Sequence, residues 1–133
     1  MPTIPTDRRV LLAFGAHPDD IEFGAGGIIA CENRAGTKVH FVVCSEGESA
    51  TSGTPAQRRQ EAMRSASILG ATIEFIALGG DSHFERSIES TLTVARAIRR
   101  IAPQWVLCPT AKPDQHPDHA VLGSLVRDGA RLA

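Results

Sequence analysis

Two short stretches, His17-Pro18-Asp19-Asp20 and His116-Pro117-Asp118-His119, carry the residue types that hold metal ions and move protons. A catalytic zinc site needs about three protein ligands from His, Asp, Glu or Cys and an open position for water. His17 and Asp20, three positions apart across a proline-stiffened turn at a helix start, can face one point, and His119 can complete the set. Asp19 then lies beside the ion without ligating it, placed to take a proton from a water whose pKa zinc lowers to about 7. His116 is the candidate for protonating a leaving amine or supporting a tetrahedral oxyanion. Asp118 can orient a histidine from behind. A His/His/Asp set favours zinc, with another divalent ion as the alternative. Either stretch alone is also ordinary loop chemistry, because short motifs match by chance. Their pairing is what points to a single site.

The elements between them say how the pairing arises. Val10 to Phe14 reads as a strand buried on both faces, and Phe23 to Arg34 as a helix stopped by Gly36. The run Gly24, Gly26, Gly27 would let that helix pack closely or approach a ligand. Val39 to Cys44 is a second strand. Thr54, Pro55 and Gln57 then mark a helix start with a capping box, and Gly70 marks its end. Thr72 to Leu78, a helix from about Ser87 to Arg100 with Leu92, Ala95 and Ile98 inward, Trp105 to Cys108, and a helix from Pro117 complete the series. Alternating strands and helices with short connections predict a Rossmann-like α/β fold, mainly a parallel sheet with helices on both faces. Ligands of such sheets bind beyond the carboxyl ends of strands, where the strand order reverses. An order 3-2-1-4 would make strands one and four neighbours, so that motifs 102 positions apart meet.

The other polar residues of that edge are Glu46 and Glu48 after strand two, and Asp81 and His83 after strand three. Glu46, Glu48 and Asp81 are candidate contacts to substrate hydroxyls, or else solvated loop carboxylates. His83 lacks a companion, and His40 sits within a strand and reads as structural. The Arg58-Arg59 and Arg99-Arg100 pairs fall on helices and read as solvated faces.

Composition narrows the function classes. The 133 residues suffice for one domain, 1–133, with a real core. With 14 basic against 15 acidic residues there is no electrostatic case for nucleic acid or an anionic membrane. No apolar run approaches the ~20 residues that span a bilayer, and Met1 to Arg9 lacks the apolar region of a secretion signal. Cys31, Cys44 and Cys108 are odd in number and without metal-binding spacing. Cys44 and Cys108 lie in apolar runs and behave as small hydrophobes, which suits a reducing cytoplasm. Val121 and Leu125 on the last helix are expected to be uncovered and to favour a homo-oligomer.

Ala16-His17-Pro18-Asp19-Asp20-Ile21-Glu22, the Ser45-Glu46-Gly47-Glu48 loop, Gly53-Thr54-Pro55 leading into an Arg-rich helix, and His116-Pro117-Asp118-His119 resemble the zinc-dependent N-deacetylases. That family includes the phosphatidylinositol-glycan de-N-acetylases and the LmbE-like proteins. The resemblance runs through the whole chain in order. It implies hydrolysis of an N-acetyl group from an N-acetylglucosamine unit of a small N-acyl amino sugar, with His17, Asp20 and His119 as zinc ligands, Asp19 as general base and His116 as the acid or electrophilic partner. Arg58, on the Arg-rich helix, joins the candidate substrate contacts. Gly15 to Gly27 is similar to the bacillithiol branch, whose substrate is N-acetylglucosaminyl malate. Two departures stand out. Some members carry an oxyanion-assisting tyrosine at the position of Asp114, and this chain has no tyrosine. Members also generally continue well past the second motif, so the chain is expected to be C-terminally truncated relative to the family.

The competing expectation is a non-catalytic metal-binding module of the same fold, acting through oligomer contacts. Dinucleotide binding is a poorer one, because Gly24-Ala25-Gly26-Gly27 follows the acidic turn and does not form Gly-x-Gly-x-x-Gly at the strand end.

Overall fold

In the computed structural model, which describes residues 9–113 and 115–133, eight elements alternate along the chain. They are β1 (Val10–Gly15), α1 (Asp20–Arg34), β2 (Lys38–Val43), α2 (Pro55–Ile68), β3 (Ala71–Phe75), α3 (Ile88–Ile101), β4 (Trp105–Leu107) and α4 (Pro117–Leu132). The four strands form one parallel sheet in the order β3-β2-β1-β4, as the alternation predicts. β1 is central. Its ladder pairs Gly15 with Val43 on one side and Ala13 with Leu107 on the other.

Period-two alternation along β1 divides the core in two. Leu12 and Phe14 point to one face and pack with Val94 and Ile98 of α3 and with Leu122, Leu125 and Val126 of α4. Leu11 and Ala13 point to the other, with Ile21 and Ile29 of α1 and Ala66 of α2. Helices therefore cover both faces. Each fully buried leucine or valine contributes roughly 1.5–3 kcal/mol relative to exposure, which fixes strand register as firmly as the hydrogen bonds do.

Local signals explain the ends. Thr54 and Gln57 form the reciprocal capping box of α2, with Thr54 Oγ1 accepting from the Gln57 amide and Gln57 Oε1 from the Thr54 amide. Ser87 caps the start of α3, and Ala102, immediately before Pro103, caps its end. His116 caps α4, its Nδ1 accepting from the Asp118 amide at 3.1 Å.

Several expectations are corrected. α1 begins at Asp20 and not near Phe23, so the His-Pro-Asp-Asp turn is itself the helix start. A Cβ added to Gly24, Gly26 or Gly27 would meet nothing within 4 Å, so these glycines serve no close packing among the described residues. Leu125 is fully buried and Val121 packs on the core, because α4 lies against α3. The apolar stripe expected to invite a second copy is thus already covered. Leu92 is exposed, and the inward face of α3 is Val94, Ala95, Ala97 and Ile98. Cys108 lies just past β4 and is exposed, while Cys44 is buried; all three thiols are free. No helix among the described residues is long and apolar enough to cross a membrane.

Candidate metal centre and active site

β1 ends at Gly15, and two buried residues carry its end into the site. Ala16 is fully enclosed, its carbonyl accepting from buried Ser45 Oγ at 2.7 Å. The chain then turns through His17, Pro18 and Asp19 into α1. Asp20 closes the turn on itself: its Oδ2 accepts from the His17 amide at 2.9 Å while its own amide approaches the His17 carbonyl at 3.3 Å. Asp19 is the N-cap residue and adopts a left-handed backbone (φ 86°, ψ −23°) with no side-chain capping bond. A non-glycine residue there is uncommon and strained, a condition that collects at functional turns.

The second stretch arrives from the neighbouring edge of the sheet. β4 lies beside β1, and the loop after it delivers His116 and the first turn of α4. Gly123, one turn beyond His119, lets α4 settle on that loop. A Cβ at Gly123 would stand 2.5 Å from the Pro109 carbonyl oxygen and 2.9 Å from the Ala111 nitrogen.

The two stretches meet. His119 Nε2 is 2.9 Å from Asp20 Oδ2, and His17 Nδ1 is 3.4 Å from the same oxygen. One ligand atom from each of His17, Asp20 and His119 lies within 4.8 Å of the others. The opposite nitrogen of His17, Nε2, is 2.8 Å from Asp118 Oδ2 and 3.0 Å from Asp81 Oδ1. Asp118 is buried and anchored by the Ser82 amide at 2.7 Å. His116 stacks edge-on against His17 with ring centroids 4.6 Å apart, and forms a second His/Asp group with His17, Asp81 and Asp118.

The electrostatics are lopsided. Three carboxylates, of Asp20, Asp81 and Asp118, crowd one imidazole. Burial by itself lowers the pKa of His17, but the hydrogen bonds to Asp20 and Asp118 and the charges of Asp20 and Asp81 outweigh it and raise the pKa to about 9. Burial likewise opposes ionisation of Asp20, yet its hydrogen bonds to His17 and the charge of His119 hold its carboxyl below the usual range. The cluster is short of positive charge. Mixed imidazole and carboxylate donors within reach of one another, around a deficit of this kind, fit a divalent cation.

A cavity of about 390 Å³ opens over these groups, lined by His17, Asp19, Arg58, Asp81, Ser82 and His116 among others. Beside the same cluster, Asp20 and His119 also line a mostly apolar cleft of about 260 Å³ with Gly24, Ile28, Pro109 and Gln115. The remaining expected residues fall elsewhere. Glu46 pairs with Arg59 at 2.8 Å, and with Glu48 it lines a neighbouring cavity. Burial disfavours the ionised Glu48, but the Asp81 and Glu46 amides outweigh that and hold its carboxyl below the usual range. Asp81, expected to face substrate, is buried against His17 and accepts from the Ser49 amide at 2.9 Å. His83 turns its Nδ1 to the Asp81 carbonyl at 2.6 Å. His40 sits in β2 between Thr72 and Glu74, away from both groups. Asp114 and the N-terminal stretch before Arg9 lie outside the described residues.

One expected residue changes role and one participant escaped the sequence reading. Asp81, expected among the substrate contacts from its position after β3, belongs to the His17 cluster. Gln115 Oε1 stands 3.4 Å from His119 Nδ1, and only its place four residues before that histidine hinted at it.

With this geometry in view, the comparisons are specific. The chain is 31% identical over 140 residues to 4-oxalmesaconate hydratase of Pseudomonas putida, covering 96% of this chain and 54% of that protein. The crystal structure of the 4-carboxy-2-hydroxymuconate hydratase from the same organism superposes with a TM-score of 0.81 at 32% identity, over 94% of this chain and 57% of the other. Diacetylchitobiose deacetylase of Thermococcus kodakarensis is 29% identical over 128 residues, covering 90% of this chain and 48% of that enzyme. The N,N'-diacetylchitobiose deacetylase structure from Pyrococcus horikoshii gives a TM-score of 0.85 at 27% identity, over 93% of this chain and 50% of that one. The chain thus spans about half the length of the relatives it matches. Residues 12–130 match the family model for GlcNAc-PI de-N-acetylase, PIG-L, and so the chain belongs to the PIG-L/LmbE-like deacetylase family.

Proposed function

We propose that the site is that of a zinc-dependent N-deacetylase acting on an N-acetylated amino sugar of the N-acetylglucosamine type. The observation that carries this reading is the meeting of His17, Asp20 and His119 within 4.8 Å, beside a cavity that Asp19 and His116 also line. His17 through Nδ1, Asp20, and His119 through Nε2 would hold the cation. Its contribution when bound is to make water acidic enough to ionise near neutrality and to polarise the amide carbonyl.

The chain's own residues do the rest. Asp118 accepts the Nε2–H of His17, which fixes the tautomer and leaves Nδ1 free to ligate; Gln115 plays the same part toward His119. Asp19, half-exposed at the cavity, takes the proton of the attacking water. His116, set against the His17 ring and lining the same cavity, gives a proton to the departing amine. Asp81 holds the loop after β3 against the site through Ser49 and Ser82. Three free thiols suit a cytoplasmic setting.

A second reading is hydration of an unsaturated tricarboxylate, favoured by the 31% identity to a hydratase over nearly the whole chain. It uses the same water-activating residues, with a carbon–carbon double bond in place of the amide.

One assay decides between them. Zinc-loaded protein is offered N-acetylglucosamine, N,N'-diacetylchitobiose, N-acetylglucosaminyl malate and 4-oxalmesaconate. Acetate release, lost in Asp19→Ala with zinc retained, is the expected result. Turnover of the unsaturated acid alone moves the assignment to the hydratase. Stoichiometric zinc without turnover of any of these leaves a metal-binding module.

A further inference from the structure

We propose that the apolar cleft beside Asp20 and His119 receives the acyl group of the substrate, and that it admits straight acyl chains longer than acetyl. This rests on the site being a hydrolase of N-acyl amines with His116 on the amine side.

The two cavities at the cluster divide by chemistry. One holds the proton-moving groups, Asp19 and His116, together with Arg58 and Asp81. The cleft shares Asp20 with it and adds His119 and Gln115, but is otherwise built of apolar residues, backbone and one thiol. Ala13 and Leu107, partners in the β1–β4 ladder, form its floor. Ile21, Gly24, Ala25 and Ile28 recur at helical spacing along α1 and form one wall. Cys108 and Pro109, just past β4, form the other. Gln115, His119 and Asp20 stand in one row, at 3.4 and 2.9 Å, so the polar side chains gather at the metal-ligating end.

An amide carbonyl seated at that end has two substituents, which leave its carbon in different directions. The nitrogen must reach His116, which lines the first cavity and not the cleft. The alkyl carbon then points away from that cavity, and the neighbouring space bounded by Asp20 is the cleft. Hydrolysis adds the water oxygen to the acyl carbon and breaks the C–N bond. The carboxylate is left in the cleft, and the amine departs past His116 with both water protons beside its own. A methyl group, near a water molecule in size at about 30 Å³, would leave most of the cleft's 260 Å³ empty.

Gly24 keeps that space open. A Cβ there would meet nothing within 4 Å, so backbone packing does not require the glycine; it contributes room along the wall. Ile28, one turn further and half-exposed, extends the apolar wall toward solvent. Each further methylene of an acyl chain can be buried there, for a gain in affinity of about fourfold at most.

The test measures binding of N-acetylglucosamine and N-hexanoylglucosamine by calorimetry, on the full chain with and without zinc, and kcat/KM for both with zinc. In wild type the hexanoyl compound should bind on the order of 10- to 100-fold more tightly. In Gly24→Leu, which fills the cleft from its wall, that ratio should fall to near one with zinc content unchanged. Gly27→Leu, on the same helix, equally open but outside the cleft, should keep the wild-type ratio. The ratio of kcat/KM values should follow the same pattern. Equal affinity for the two compounds in wild type overturns the inference, and so does a ratio that Gly24→Leu leaves alone. A Gly24→Leu chain that changes only its oligomeric state in sedimentation overturns it as well, and marks the cleft as a protein-docking face. Should Gly24→Leu fail to fold, Ile28→Asn takes its place with the same expected fall. If no N-acyl sugar is hydrolysed, the hydrolase reading fails by itself, and the binding ratio still decides what the cleft takes.

Discussion

His17 just beyond β1 and His40 within the neighbouring β2 are both mostly withdrawn from water, and their basicities move in opposite directions. His17, past the carboxyl end of β1, is raised to about 9 despite burial. His40, within β2, is lowered: burial is the main cause, and the attraction of Glu74 is countered by Arg100, which pairs with that same glutamate at 2.5 Å. Desolvation acts alike on both. The difference lies in uncompensated carboxylates, three around His17 and at most one, already neutralised, beside His40. A histidine is therefore not what marks the site; surplus negative charge is.

The contrast can be broken by experiment, most directly at the ligands. His119→Ala or Asp20→Asn should lower zinc affinity by more than about 100-fold, beyond the usual effect of a residue behind a ligand. His40→Gln should leave zinc binding as it was. Equilibrium dialysis with metal analysis checks both, and zinc retained in His119→Ala would place the ion elsewhere. Next in size is Asp118→Asn. Weakening the hold on His17 Nε2 should cost about 10- to 100-fold in affinity.

The two shifts also predict two limbs in the pH dependence of stability without metal. In the folded state His17 keeps its proton from its unfolded pKa near 6.5 up to about 9, whereas the unfolded chain releases it. Its contribution is therefore complete below about 6.5 and declines as pH rises through about 9. His40 is the reverse: the unfolded chain takes up a proton first as pH falls below about 6.5, so stability declines on that side. Urea midpoints across pH should lose the alkaline decline in His17→Gln and the acidic one in His40→Gln. Zinc competes with the His17 proton, so its affinity should climb over the same alkaline range. The smallest effect expected is on zinc content in Glu46→Gln. That residue is tied up with Arg59, and metal analysis should show no change.

Much of this was open to reading from residue types. Strand order and the meeting of the two His-Pro-Asp stretches follow from alternation and from polar residues that cluster after each strand. Other features are invisible to a linear reading. Leu125 has the same helical spacing whether its face is covered or bare, and only the approach of α3, some thirty positions earlier, buries it. Asp81 and Glu48 differ in role because one faces His17 while the other is consumed by main-chain amides, a matter of loop path. The left-handed Asp19 and the flat Gly47 beneath which Arg58 passes are tertiary fits between loops, for which no periodicity exists.

Gly123 carries this furthest. Since α4 touches the 109–111 segment with bare main chain, helix and loop are separated by little more than the thickness of a polypeptide backbone. Any methyl group there would act as a wedge one helical turn from His119, prising the imidazole off Asp20 without altering a single polar atom. The spacing of the cluster is in that sense set by a hydrogen: the smallest substituent in the chain determines whether its two halves can grip one ion.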